Sequence, residues 1–207
     1  MDHDCFRAHL EEAIALNEAR APLYAALSED AARVSRELVA VERAAMPLAE
    51  HLDRAARPWQ AAGVGVMCDE FVSMSEAPAF AESGAVAPAP RLRPVASGAR
   101  IARGMRREGF AGASVAIEAE LAALPEGRAC MTRHVLESML RAANLAPVHV
   151  AEAAALGLAS PESLSRTFLV AQIASLPEAA RLDRLAAPVH ARGVPMLCND
   201  VPGIPAR

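Results

Sequence analysis

Two stretches decide how this chain is read: "GVGVMCDE" at 63–70 and "GVPMLCND" at 193–200. Each runs Gly-Val, one variable position, two apolar residues, Cys, Asp or Asn, and an acid. A self-match of this kind marks an internal repeat, which bears on the whole fold. Sliding the chain by 130 residues sets 28–70 against 158–200. Ser35-Arg36 then meets Ser165-Arg166, Pro47 meets Pro177, Leu52-Asp53-Arg54 meets Leu182-Asp183-Arg184, Pro58 meets Pro188 and Cys68 meets Cys198. Identities fill 14 of the 43 aligned positions, against roughly four for unrelated chains of this composition when matches are counted. Upstream the match continues at an offset of 125, with His9, Glu12 and Ala21-Pro22 against His134, Glu137 and Ala146-Pro147.

The repeat predicts a mainly α, internally duplicated helical bundle, a single domain over 1–207. Repeat 1 spans 6–74 and repeat 2 spans 131–204. A Pro/Arg-rich linker and an extra helix fill 75–130. Each unit reads as three helices and a short β-like run. The first helix covers about 6–20 or 131–144, the second starts after Ser28 or Ser160, and Pro47 or Pro177 opens the third. Gly63 and Gly193 close it, and the runs "VGVM" and "VPML" follow as short strands. A fused duplicate inherits twofold symmetry, so the units are expected about a pseudo-twofold axis, with the strands pairing across it.

Composition agrees. Of 207 residues 53% are apolar but only 3% aromatic, with alanine dominant, which suits closely packed helices. All 21 basic residues are arginine, so no Schiff-base or P-loop lysine is available. The net charge of −4 disfavours attraction to nucleic acid. Cys5, Cys68, Cys130 and Cys198 are widely spaced without a C-x-x-C pair, a pattern that reads as free thiols in a reducing compartment. With no apolar run of membrane-spanning length, a soluble, cytoplasmic protein is expected.

Candidate chemistry centres on positions that recur. The paired H-x-x-E motifs suggest a metal site between facing helices, but the helical wheel argues otherwise. At about 100° per residue, His9 sits at the edge of the apolar face and Glu12 on the far side. His134 and Glu137 repeat that placement. His149 and Glu152 form a third H-x-x-E with no counterpart. Asn17 stands mid-face, where it must be hydrogen-bonded or line a cavity; unit two has Ala142 there. Cys68 and Cys198 read first as small buried hydrophobes, and otherwise as two thiols meeting across the axis beside Asp69, Glu70, Asn199 and Asp200. Arg36 with Asp53, and Arg166 with Asp183, read as structural ion pairs between helices. Arg100, Arg103, Arg106 and Arg107 form a basic stretch suited to an acidic partner or an anion.

No G-x-S-x-G, G-x-G-x-x-G or H-E-x-x-H occurs, and the glycines at 104, 109 and 112 have the wrong spacing for a dinucleotide loop. The leading expectation is therefore a helical binding or scaffold protein using its arginine segment, with a protein partner or a second copy of itself. Nucleic acid is disfavoured, and a membrane surface contacted by "RIARGMRR" ranks behind a protein. The alternative is a metal- or cofactor-dependent enzyme or ligand carrier. Its site would lie between the repeats, among His9, Asn17, Cys68, Asp69, His134, Cys198 and Asp200. The residues single out no particular cofactor.

Overall fold

Ser28 ends one helix and starts the next. Its backbone is extended (φ −174°, ψ 161°), its N–H reaches back to the Tyr24 carbonyl, and its Oγ accepts the Ala31 N–H at 3.1 Å. A serine in this position satisfies an otherwise orphaned donor of the following helix. The computed structural model describes residues 4–71, 94–125, 129–194, 196 and 197. They form α1 (Cys5–Leu27), α2 (Glu29–Ala61), α3 (Pro94–Ala122), α4 (Cys130–Ala155) and α5 (Glu162–His190). The molecule is mainly α, as the composition predicts.

Long-range contacts give the directions. Asn17 bonds Glu42 and Asp4 bonds Arg57, so α1 and α2 form an antiparallel hairpin. Met131 and Thr132 bond Asp183, so α4 and α5 form a second one. The hairpins join where α2 packs on α5, also antiparallel, through Arg181–Glu37, Arg192–Asp30 and Trp59 Nε1 donating to the Ala159 carbonyl.

α3 is a hairpin in its own right. Twenty residues of straight helix would span about 30 Å, yet Glu120 accepts from both Ser97 Oγ (2.6 Å) and the Arg100 guanidinium (2.8 Å). The reversal falls at Glu108 (φ −134°, ψ 17°) and Gly109 (φ 63°, ψ −145°), a backbone state open essentially to glycine alone. The arms, 94–107 and 110–122, pass so closely that a Cβ on Gly104 would collide with the Gly112 carbonyl. α3 packs against α4 and α5.

Two expectations are corrected. There is no third helix per unit: α2 runs through Pro47 and Pro58, and α5 through Pro177 and Pro188. Each proline forfeits one backbone bond, but buried residues between the two prolines of each helix, Ala49, Leu52 and Ala56 in α2, Ala179, Leu182 and Ala186 in α5, hold that stretch in the core. Nor is there a strand among the described residues. Residues 65–70 coil into turns, with Cys68 N–H and Asp69 N–H both donating to the Gly65 carbonyl. Met67 (φ 66°) and Leu197 (φ 64°) adopt the left-handed conformation, which a strand excludes.

The main core gathers Leu52, Ile101, Ile117, Leu136, Met139, Phe168 and Leu169, all essentially inaccessible. Full burial of such a side chain stabilises by about 1.5–3 kcal/mol. A second cluster, of Tyr24, Val34, Val189 and Met196, closes the far end of the α1–α2–α5 group.

Candidate functional site: a pocket between the two hairpins

Residues at matching positions in the two hairpins line a cavity of about 250 Å³. α1 contributes His9, Leu10 and Ala13, and α4 contributes His134, Val135 and Ser138, the residues 125 further on. α2 contributes Leu38, Val41, Glu42 and Ala45, and α5 contributes Phe168, Ala171, Gln172 and Ser175, the residues 130 further on. The wall near the helix starts is aromatic. Phe6 stacks on Phe71 with centroids 4.4 Å apart, Phe168 meets both edge-on at 5.6 Å, and the His9 ring lies 4.8 Å from Phe71.

Burial dominates the electrostatics of the pocket. Burial pushes the His9 imidazole down to about 4, with the His134 charge acting in the same direction. Burial, with the Arg141 charge, also lowers His134, which lines the same pocket. Both rings are neutral at neutral pH, each with one donor and one acceptor nitrogen. Burial raises the Glu42 carboxyl to about 7, a shift that the Asn17 hydrogen bond opposes and the Glu18 charge reinforces. Asn17 Nδ2 donates to Glu42 Oε1 at 2.8 Å. Among the described residues, Glu42 Oε2, Arg20 Nε, Ser35 Oγ and Ser138 Oγ are buried at this pocket without a hydrogen-bond partner. Orphaned polar atoms are uncommon in protein interiors, and four around one cavity need an explanation.

The expected site is only partly assembled here. His9, Asn17 and His134 line the pocket together. Cys68 does not; it forms a disulfide with Cys5, with Cα atoms 5.0 Å apart. Cys130 is also disulfide-bonded, so no described cysteine is a free thiol. This corrects the free-thiol reading: wide spacing along the chain says nothing of distance in space. Asp69 lies outside the pocket, more than half exposed, with its Oδ2 3.3 Å from Nε2 of the fully buried His149. Glu70 Oε1 approaches the other His149 nitrogen at 3.5 Å, and burial raises the Glu70 carboxyl to about 7. Cys198 and Asp200 lie outside the described residues. No three His, Cys, Asp or Glu side chains among the described residues converge as metal ligands.

The expected ion pairs are replaced by caps. Asp53 accepts the Phe6 N–H (3.0 Å) and Arg7 N–H (2.7 Å), and Asp183 accepts those of Met131 and Thr132 (both 2.9 Å) plus the Thr132 hydroxyl (2.6 Å). Each carboxylate sits where the helix dipole favours an anion, at the start of α1 or α4. Arg36 is exposed and forms no ion pair among the described residues, whereas Arg166 binds Glu162 (2.9 Å) and lies over the Phe110 ring. In the basic stretch Arg100 is held by Glu120, while Arg103, Arg106 and Arg107 are exposed and unpaired among the described residues.

Sequence reasoning missed Glu42, Arg20, Ser138 and Phe71. Glu42 and Gln172 are equivalent at the 130 offset, a polar pair kept at one position, and that was the available signal. No helix of the described residues is long and apolar enough to cross a membrane. Set against protein-family models, curated proteins and solved structures, the chain matches none of them.

Proposed function

We propose that this protein is a helical ligand carrier, built by duplication of a two-helix unit, that holds a small, largely apolar molecule in the pocket between its hairpins. The observation that carries this reading is the set of four orphaned polar atoms around an aromatic-walled cavity, the usual composition of a small-molecule site. By comparison with a dry 150 Å³ cavity that accepts benzene, this one suits a ligand of roughly ten heavy atoms.

Geometry that recurs at the repeat offsets supports the duplication. The Asp53 and Asp183 caps correspond, as do the left-handed Met67 and Leu197. Gln60 Nε2 donates to the Val66 carbonyl at 3.0 Å, and His190 Nε2 contacts the Met196 carbonyl at 2.6 Å, the same pair 130 residues on. Antiparallel packing of α2 on α5, its own counterpart, is what a pseudo-twofold axis would produce. The pocket would lie on that axis. A disulfide between the helix start and the closing turn suits an oxidising setting.

Thermal unfolding with phenylbutanol, a neutral ligand of suitable size, tests the carrier. The midpoint should rise with ligand concentration, as binding to the folded state alone requires. Ser138→Leu and Ala45→Leu, which grow into the cavity from half-buried wall positions, should suppress the rise. A rise unaffected by both would move the ligand elsewhere and sink the reading.

A second reading rests on Arg103, Arg106 and Arg107, three exposed cations on one arm of α3 with no ion pair among the described residues. They would dock an acidic protein surface, a role compatible with carrying a ligand. Replacing all three with alanine should leave the unfolding midpoint within about 1 °C, as surface substitutions do, and abolish retention on an acidic polypeptide matrix. Unchanged retention at equal salt would dismiss this role.

A further inference from the structure

Glu42 narrows the ligand class, an inference that rests on the pocket reading above. The charged groups facing Glu42 can be taken element by element. On α1, Glu18 is engaged by Arg43 of α2, His9 is held neutral by burial, and Arg20 lines the same cavity with no ion pair to Glu42. On α4 the pocket presents His134, held neutral by its surroundings. On α5 Glu178 is engaged by Arg181 at 2.7 Å, and Gln172 is uncharged. Glu42 is therefore the one carboxylate of the wall without a cationic partner among the described residues. Its Oε1 is fixed by Asn17, which leaves Oε2 directed for one further donor.

We propose that the ligand is a small apolar primary amine whose ammonium group binds Glu42 Oε2. An ammonium carries three N–H donors and no acceptor. Glu42 Oε2 takes one of them. The hydroxyls of Ser35 and Ser138, both orphaned on the wall of the same cavity, offer further acceptors to a ligand there. The hydrocarbon of the ligand then meets Leu10, Val135 and Phe168. A carboxylate ligand would instead set two anions in one apolar cavity, an arrangement burial makes costly.

Calorimetric titration with phenylbutylamine, phenylbutanol and phenylbutyrate at pH 8 tests the class, since the three share one hydrocarbon and differ in head group. A charge-assisted hydrogen bond predicts at least about tenfold tighter binding of the amine than of the alcohol, with the acid weakest. Glu42→Gln keeps the shape and the Asn17 bond, and should abolish the amine's advantage over the alcohol. Affinity for the amine should rise about tenfold from pH 6 to pH 8, as Glu42 ionises around 7. If the alcohol binds, is blocked by Ser138→Leu, and the amine shows no advantage, the amine assignment falls and the carrier stands. An amine advantage that survives Glu42→Gln also overturns the assignment. If none of the three binds, both readings fall.

Discussion

Asn17 on α1 donates to Glu42 on α2 at 2.8 Å, fixing one carboxylate oxygen against the wall of an apolar cavity and leaving the other without a protein donor. Glu42 is thereby neutral over much of the pH range in which an exposed glutamate is charged, because burial outweighs the single hydrogen bond. The pair is one-sided: the equivalents in the second hairpin are Ala142 and Gln172. The wall of the cavity is therefore asymmetric at this position.

The raised Glu42 carboxyl has a definite stability signature. Between the ordinary glutamate value and about 7 the folded state holds a proton that the unfolded chain has released. Stability from this group is therefore complete at low pH and is lost as pH rises through about 7. Glu42→Gln should remove that loss and make the protein more stable than wild type at pH 8 in urea denaturation. Glu70, raised in the same direction, keeps part of the slope in the variant. Equal stability of the two proteins at pH 8 would contradict the burial of Glu42.

His9 acts in the opposite sense. Its folded value of about 4 lies below the ordinary 6.5, so the unfolded chain binds more protons between the two. The contribution is complete above 6.5 and is lost as pH falls towards 4. His9→Phe retains a ring beside Phe71 and should flatten the acid limb of the stability curve. Proton NMR should find the wild-type imidazole still neutral at pH 5.5; titration near 6.5 would place His9 in water. The Glu42 and His9 windows overlap between about 4.5 and 6.5 with opposite signs, so the single variants reveal what wild type conceals.

The Cys5–Cys68 bridge closes a loop with a sequence separation of 63. Chain-entropy reasoning gives it about 4 kcal/mol, mainly through constraint of the unfolded chain. Cys5→Ala should lower the free energy of unfolding by up to that amount without changing helical content in the far ultraviolet. The expected cost shrinks under reducing conditions, where wild type loses the bridge too. A variant as stable as oxidised wild type would remove the bridge from the account.

Asp53 and Asp183 offer a matched test of the two hairpins. Removing a buried carboxylate that accepts two backbone N–H groups leaves both donors unsatisfied, at about 1–3 kcal/mol. Asp53→Ala and Asp183→Ala should each fall in that range. Asp183→Ala should cost more, because the Thr132 hydroxyl also loses its acceptor. The reverse order in chemical denaturation would break the correspondence.

Gly104 tests the α3 hairpin. Alanine there meets the Gly112 carbonyl, part of a backbone that cannot move aside as a flexible side chain can. Gly104→Ala should destabilise by about 1–3 kcal/mol despite alanine's better helix propensity. A stabilised variant would mean the arms do not pass at this point.

Much of the architecture could be read from the residues alone. Alanine-rich helical periodicity specified the class, Ser28 and Ser160 marked helix starts, and the 130 and 125 offsets linked the positions that turn out to share geometry. The Cys5–Cys68 bridge was not legible there, because the fold brings two positions 63 residues apart in sequence to a Cα separation of 5.0 Å. The helical prolines were misread because the local rule prices a lost hydrogen bond, while the compensating burial of Leu52 and Leu182 depends on helices distant in sequence. The strands were misread because "VGVM" is β-prone in isolation, whereas a left-handed Met67 and the turn bonds to Gly65 curl it back.

The sequence by itself determined the helical class, the Ser28 cap and the recurrence of His9 at His134, since each follows from spacing along one chain. Only the tertiary structure decided that Glu42 keeps an unpaired oxygen at a cavity that Ser35 and Ser138 also line, that Asp53 caps α1 rather than pairing with Arg36, and that Cys68 bonds Cys5. These depend on how far apart the helices stand once their apolar faces are buried, a distance set by the packing of side chains from all of them together.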